Sequence, residues 1–453
     1  MKLKRTVSAV MILALMLTLL FAVSCNSNGG ENTDTSTVRV IKAKETLAKG
    51  KVVAINDIDI VEIENADLPE GYIKSSSEAI GRKLLKLVKA GEIITSSHLS
   101  SEVYGNDDKD GDTDVSVSEA RALGYVVVTD YITNMSSMDL STEIQKVIDK
   151  NPNSTIYFPD GVYNIVKPIK TSSDKTDTVA LHLSANAVIK ASEYWSVNGS
   201  YMIQIGAQDK EFTIDGTGTN YYMYGGIIDC NGIANGVEIS AGRELSLRNV
   251  TIKNAYYGLH IAYNKEYSSN DSDTEWLNVE GNGKAGSIGV LVDGFDNTLT
   301  NLRVSGFETG VRLTRPGNLM HNIHVTNIPS DGIDYEKTRG FWDSSGGNWY
   351  DGCRADDYRT AFYSIATSLS IYNGCTAFWS ESRGRQYAFE TDGVLNATIT
   401  ELKAIFVAGN DNALLVAPTN GGSGIVKNPI FDTRLTNNDT YKRYLVGHVV
   451  YSK

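Results

Sequence analysis

Between Asp331 and Asp392 the sequence is enriched in carboxylates, guanidiniums and large aromatics, and three of its five tryptophans lie there. Asp334 and Glu336 are two residues apart, a spacing that puts both side chains on one face of a strand, with Arg339 at the following corner. An acid, a base and a guanidinium stabiliser can serve hydrolysis or β-elimination, so these three are the catalytic candidates. Around them Trp342, Trp349, Asp356, Asp357, Tyr358, Arg359, Trp379, Glu381 and Arg383 are the substrate-binding candidates. Indole and phenol faces stack on the apolar faces of sugar rings, and charged groups grip hydroxyls or uronates. The competing reading is a solvated loop flank with half-buried tryptophans. His321 and His324 precede the cluster. Their offset of three predicts opposite strand faces, so no metal site is assigned to them.

Side chains so far apart can meet only if the chain returns to the same place repeatedly. From Asn249 onward it does: NVTIKNAYYGLHI, LNVEGNGKAGSIGVLV, NLRVSGFETGVRL and NIHVTNIPSDGID begin at Asn249, Leu277, Asn301 and Asn322. Looser copies start at Trp349, Ile371 and Thr398. Starts separated by about 21 to 28 residues are the length of one solenoid turn. Each copy reads as strand, corner, glycine, strand, with apolar residues at the inward positions of a parallel coil. Propeller blades need about twice that length. Cys353 and Cys375 occupy matching DGC and NGC contexts one copy apart. Stacked at about 5 Å they are either a disulfide or a pair of small buried residues.

Bulk composition agrees. The 453 residues carry a net charge of -12, with 41% hydrophobic and 21% charged residues, 41 Gly, 24 Tyr and only 8 Pro. Such a chain can bury a core and suits many short strands. Its acidic balance excludes a general nucleic-acid binder. Four cysteines exclude a disulfide-stapled scaffold.

The start of the repeating region is amphipathic, with Leu140, Ile144, Val147 and Ile148 on one helical face and Ser141 as a candidate cap. Two short strands follow around Pro159-Asp160-Gly161. This helix-then-YFPDGVYNI arrangement, with Gly225-Gly226-Ile227-Ile228-Asp229-Cys230-Asn231-Gly232, resembles the pectate-lyase-like (rhamnogalacturonase/epimerase-type) families and phage tailspikes. The resemblance implies an all-β, right-handed parallel β-helix over 118–453 with a short N-terminal capping helix. It further implies action on, or binding of, an extracellular polysaccharide, acidic and pectin-like, by a lyase or glycosidase. The alternatives are a non-catalytic surface binder or adhesin, or an envelope assembly protein. The tailspike likeness also raises a homotrimer. The reaction motifs of these families are missing: the β-helix region has no N-T-D, G-H-G or R-I-K, and Gly258-Leu259-His260 is only a near-miss. No signature of calcium-dependent pectate lyases or of uronate epimerases is visible.

Residues 38–101 alternate β-branched and polar residues around Gly50, Leu68-Pro69-Glu70-Gly71, Ile80-Gly81-Arg82 and Lys89-Ala90-Gly91-Glu92. They resemble the SAF domain, a small β-clip module, which implies a carbohydrate or envelope-protein contact. Residues 102–117 read as an acidic linker. Asp108, Asp110, Asp112 and Asp114 alternate within it as oxygen ligands could around Ca²⁺, although the EF-hand glycine and glutamate are absent.

Lys2, Lys4 and Arg5 before an apolar run from Val7 to Val23 read as an export signal, 1–24. Ala22-Val23-Ser24-Cys25 resembles the bacterial lipobox. That implies a lipidated Cys25, a tether over 25–37, and attachment to the outer face of a bacterial cell membrane. An uncleaved membrane anchor is the alternative.

Overall fold

The computed structural model describes residues 37–451 except 54–56, 65–67, 75–77, 81, 104–114, 172–178, 207–221, 241, 244, 264–268, 408–411, 432–434 and 436–438. The export signal, Cys25, most of the tether and the alternating aspartates of the linker lie outside the described residues. Among those described, no helix is long and apolar enough to cross a membrane, and no cluster of three metal-ligating side chains occurs.

Residues 37–103 form a small β unit. Thr37–Ala43 pairs antiparallel with Ile58–Glu64, and Arg82–Leu84 with Leu99–Val103. It has its own apolar core, including Ile41, Leu47, Ile73, Leu84, Val88 and Ile94.

The rest coils into three long parallel sheets of 12, 10 and 13 strands. One turn shows the plan. Thr298–Thr300 lies in the thirteen-stranded sheet, Arg303–Ser305 in the twelve-stranded sheet and Thr309–Leu313 in the ten-stranded sheet. Each strand pairs in register with its counterpart one turn later, Leu319–His321, His324–Thr326 and Arg339–Asp343. This is a right-handed parallel β-helix, the hand that crossovers between parallel strands take.

Local chemistry makes each corner. Between the thirteen- and twelve-stranded sheets one residue per turn takes a left-handed backbone: Asn249, Asn301, Asn322, Gly352 and Gly374 have φ from 50° to 61°. Asn and Gly enter that region most readily. The next residue (Val250, Leu302, Ile323, Cys353, Cys375) is fully buried. DGC and NGC are therefore corner sequences. Cys353 and Cys375 are free buried thiols, donating to the carbonyls of Met320 and Tyr350 at 3.4 Å each. His321 and His324 lie either side of such a corner, on two strands rather than on opposite faces of one.

At the corner entering the thirteen-stranded sheet, Asn297, Asn318 and Asn348 stack as a fully buried ladder. Each side-chain oxygen accepts from the backbone N–H one turn earlier, Asn297 N to Asn318 Oδ1 and Asn318 N to Asn348 Oδ1 at 3.0 Å each. Fully satisfied networks of this kind fix register as well as stabilise.

The helix Ser141–Lys150 closes the N-terminal end, burying Ile144, Val147 and Ile148. Ser141 is not its cap: the Ser141 hydroxyl accepts Val166 N at 2.9 Å, while Asp139 Oδ1 accepts Ser141 N. The Gln145 amide bonds both Lys170 N and Lys170 O, completing the edge of the ten-stranded sheet as another strand would.

Candidate site on the ten-stranded sheet

Strands of the ten-stranded sheet share the pattern Gly-apolar-X-apolar, as in NGVEI, YGLHI and TGVRL. The glycine permits close sheet approach: a Cβ on Gly258 would sit 2.2 Å from Val279 Cγ1 and 2.5 Å from Gly289 O. The apolar pair faces the core, so X faces out. In register these outward positions are Gln204, Glu238, His260, Leu291, Arg312, Trp342, Tyr363, Glu390 and Val416. At the spacing of neighbouring strands the row is roughly 38 Å long.

Its N-terminal third is ionic. His260 Nε2 lies 2.8 Å from Asp293 Oδ2, and Nδ1 lies 3.3 Å from Glu238 Oε2. Burial pulls the imidazole down, but its bonds to Asp293 and Glu238 and their charges outweigh that and push it up to about 9. Burial likewise raises the two carboxyls, and the contact with His260 more than reverses it, so both are held below their ordinary values. Ser240 donates to Glu238, and Thr314 to Asp293.

The middle third is aromatic and cationic. The Arg312 guanidinium lies 4.1 Å from the centre of the Trp342 ring, and that of Arg339 lies 4.6 Å from the same ring and 4.2 Å from Tyr363. Beside them Arg315 lies over Tyr263 at 4.7 Å. Trp342 Nε1 and Arg312 Nε are buried without an acceptor among the described residues. At the C-terminal end Arg359 pairs with Glu390 and lies over Tyr387, and Glu336 approaches Arg359 at 3.7 Å. Burial and a hydrogen bond with Asp392 push the Tyr363 phenol up to about 12.

The candidates from sequence scatter around this wall. Arg339, Trp342 and Arg359 are on it, with Glu336 at its edge. Asp334 and Glu336 do not share a strand: residues 335–337 are a 3-10 turn, and the Asp334 carboxylate caps it by accepting Glu336 N at 3.2 Å. Tyr358 and Trp379 line no groove, because both are buried in the core. Trp379 donates its indole N–H to Tyr358 O and stacks on Phe406 at 4.7 Å. Trp349 is exposed on the thirteen-stranded sheet, stacked between Leu319 and Ile371. Asp356 is nearly buried on the twelve-stranded sheet between His324 Nε2 at 2.9 Å and Arg354 Nε at 2.7 Å. Asp357 sits at a corner and accepts from Ser380. Glu381 and Arg383 pair with each other in a loop. A small cavity of about 160 Å³ lies between that loop and 327–338, below the size of ordinary ligand pockets. Glu238, His260, Asp293, Arg312 and Tyr363 are on the wall and are not among the candidates from sequence.

Known proteins resemble the two parts differently. Residues 38–100 match the SAF domain. No curated protein sequence matches the chain. Among solved structures, a tailspike protein of E. coli bacteriophage HK620 superposes with a TM-score of 0.55 at 14% identity, over 73% of this chain and 64% of the tailspike, less than two thirds of its length. A second structure of that tailspike, in complex with a pentasaccharide, covers 77% and 68% at 14% identity with the same TM-score. PfbA, a surface adhesin of Streptococcus pneumoniae, is more distant, with a TM-score of 0.47 at 14% identity over 68% of this chain and 87% of PfbA. The chain thus joins an N-terminal SAF domain to the right-handed parallel β-helix fold seen in the tailspike.

Proposed function

We propose that the ten-stranded wall binds an extended polysaccharide, laid along the coil and contacted turn by turn. The observation that carries this is the aligned row of Arg312, Trp342 and Tyr363 with Arg339 between the two rings. Aromatic faces and guanidiniums at one-strand intervals suit a ligand that itself repeats. Support also comes from the likeness of fold to a tailspike solved with a pentasaccharide. Export and lipidation at Cys25 would place this wall outside the cell, tethered to the membrane.

Holding the glycan is better supported than cleaving it. A general acid must be protonated near neutrality, and Glu238 and Asp293 are both held below their ordinary values. Asp334 caps a turn, and Glu336 projects into solvent. One observation favours a second reading, a lyase or glycosidase on an acidic glycan: His260, cationic at neutral pH, lies on the same wall and could donate a proton. Retardation of the protein in gels containing soluble polysaccharides tests binding. Unsaturated-uronate absorbance and reducing ends, measured on the same polymers, test cleavage. Retardation without either product is the expected result; release of either product would replace the binder with the enzyme.

A further inference from the structure

The charges along the wall are not uniform, and their order specifies the ligand more narrowly. Arg312 and Arg339 share one indole face-on, yet among the described residues neither has a carboxylate within ion-pair distance. In a chain of net charge -12, Arg315 beside them is likewise without a carboxylate among the described residues, whereas Arg359 further along the wall is paired. Two like charges on one ring repel. A bound anion at the guanidiniums would offset that repulsion.

The flanks have the opposite character. Three strands before Arg312 is Glu238, joined with Asp293 to a single His260 cation, so that group carries one net negative charge. Three strands after it is Glu390, with Asp392 close by at Tyr363. There Arg359 is shared between Glu390 and Glu336. The inner carboxylates of these groups lie next to the arginines: Asp293 is one strand before Arg312, bonded by Thr314 and held down partly by the Arg312 charge, and Asp392 bonds the Tyr363 phenol, whose ring is 4.2 Å from Arg339. The cationic middle is therefore bounded on both sides by carboxylates.

We infer that the wall recognises a heteropolysaccharide in which one anionic sugar, held by the Arg312 and Arg339 guanidiniums beside Trp342, is flanked by neutral sugars on both sides. This rests on the glycan-binding reading and narrows it. A polyuronate, with a carboxylate on every sugar, would set negative charge against Glu238, Asp293, Glu390 and Asp392 while satisfying only the middle.

The test is affinity gel electrophoresis of the full chain in four polymers: polygalacturonate, with a uronate on every sugar; hyaluronan, on every second; deacylated gellan, on one of four; and dextran, with none. The expected order of affinity is gellan, then hyaluronan, then polygalacturonate, with gellan at least tenfold tighter than polygalacturonate. In Arg312→Gln/Arg339→Gln that preference disappears. Polygalacturonate binding as tightly as gellan would overturn the sparse-charge inference while leaving glycan binding standing. A preference that survives in the double variant would overturn the seat assigned to the anion. Retardation by none of the four polymers would sink the glycan-binding reading itself.

Discussion

Arg312 and Trp342 occupy equivalent outward positions on adjacent strands, and the guanidinium lies 4.1 Å from the centre of the indole. The pair is held by the solenoid register, with the residues thirty positions apart in sequence and one strand apart in space. A stacked guanidinium keeps its N–H edge free for a ligand.

Replacing Trp342 should therefore cost binding and spare the fold. The ring is half-buried at the surface. Trp342→Ala removes the ring that orients two arginines, worth about 1–2 kcal/mol, or roughly tenfold in affinity. Titration with a retained polysaccharide, beside a thermal melt, measures both. An unchanged affinity would exclude Trp342 from the site.

The Trp379 indole behaves in the opposite way. It stacks in the core on Phe406. Trp379→Ala should lower unfolding free energy by about 3–5 kcal/mol. Denaturant titration reads this loss, and at temperatures where the variant is folded its glycan affinity should match the wild type.

The ionic triad makes stability depend on pH at both ends. His260 is raised in the folded state to about 9. Its contribution is then complete below the unfolded value near 6.5 and is lost as pH rises through about 9. Glu238 and Asp293 are lowered, so theirs is present above their unfolded values and lost as pH falls through the folded ones. Thermal midpoints between pH 6 and 10 should decline in the wild type, and His260→Gln should flatten that decline. Equal slopes in the two proteins would show that the triad does not titrate in this way.

Asn318 tests the register device. Its oxygen accepts Asn297 N, and its amide donates to Arg315 O at 2.9 Å and Gly294 O at 3.1 Å. Asn318→Ala orphans buried backbone groups and should cost about 2–3 kcal/mol. Chemical unfolding with a midpoint like the wild type would contradict that.

The solenoid was legible because its rules are local. An Asn or Gly corner followed by an apolar residue recurs at Asn249, Asn301, Asn322, Gly352 and Gly374, and the sequence shows it directly. The site was only partly legible, because density of charge is not direction. Tyr358 follows a left-handed Asp357 at a corner and turns inward, which composition does not reveal. The spacing of Asp334 and Glu336 fits a strand, but Asp334 accepts Glu336 N and starts a turn. Stacking GVEI, GLHI, GVLV, GVRL and GFWD on their glycines places Glu238, His260, Leu291, Arg312 and Trp342 in one column. That signal was present in the sequence, but lay across the repeats rather than along any one of them.

The most direct measurement is a crystal structure of the protein with a bound oligosaccharide cut from a polymer that retards it. Sugar density is expected along the ten-stranded sheet over Arg312, Trp342 and Tyr363, with an acidic group at the Arg312 and Arg339 guanidiniums. Density confined to the thirteen-stranded sheet around Trp349, or to the SAF domain, would contradict it.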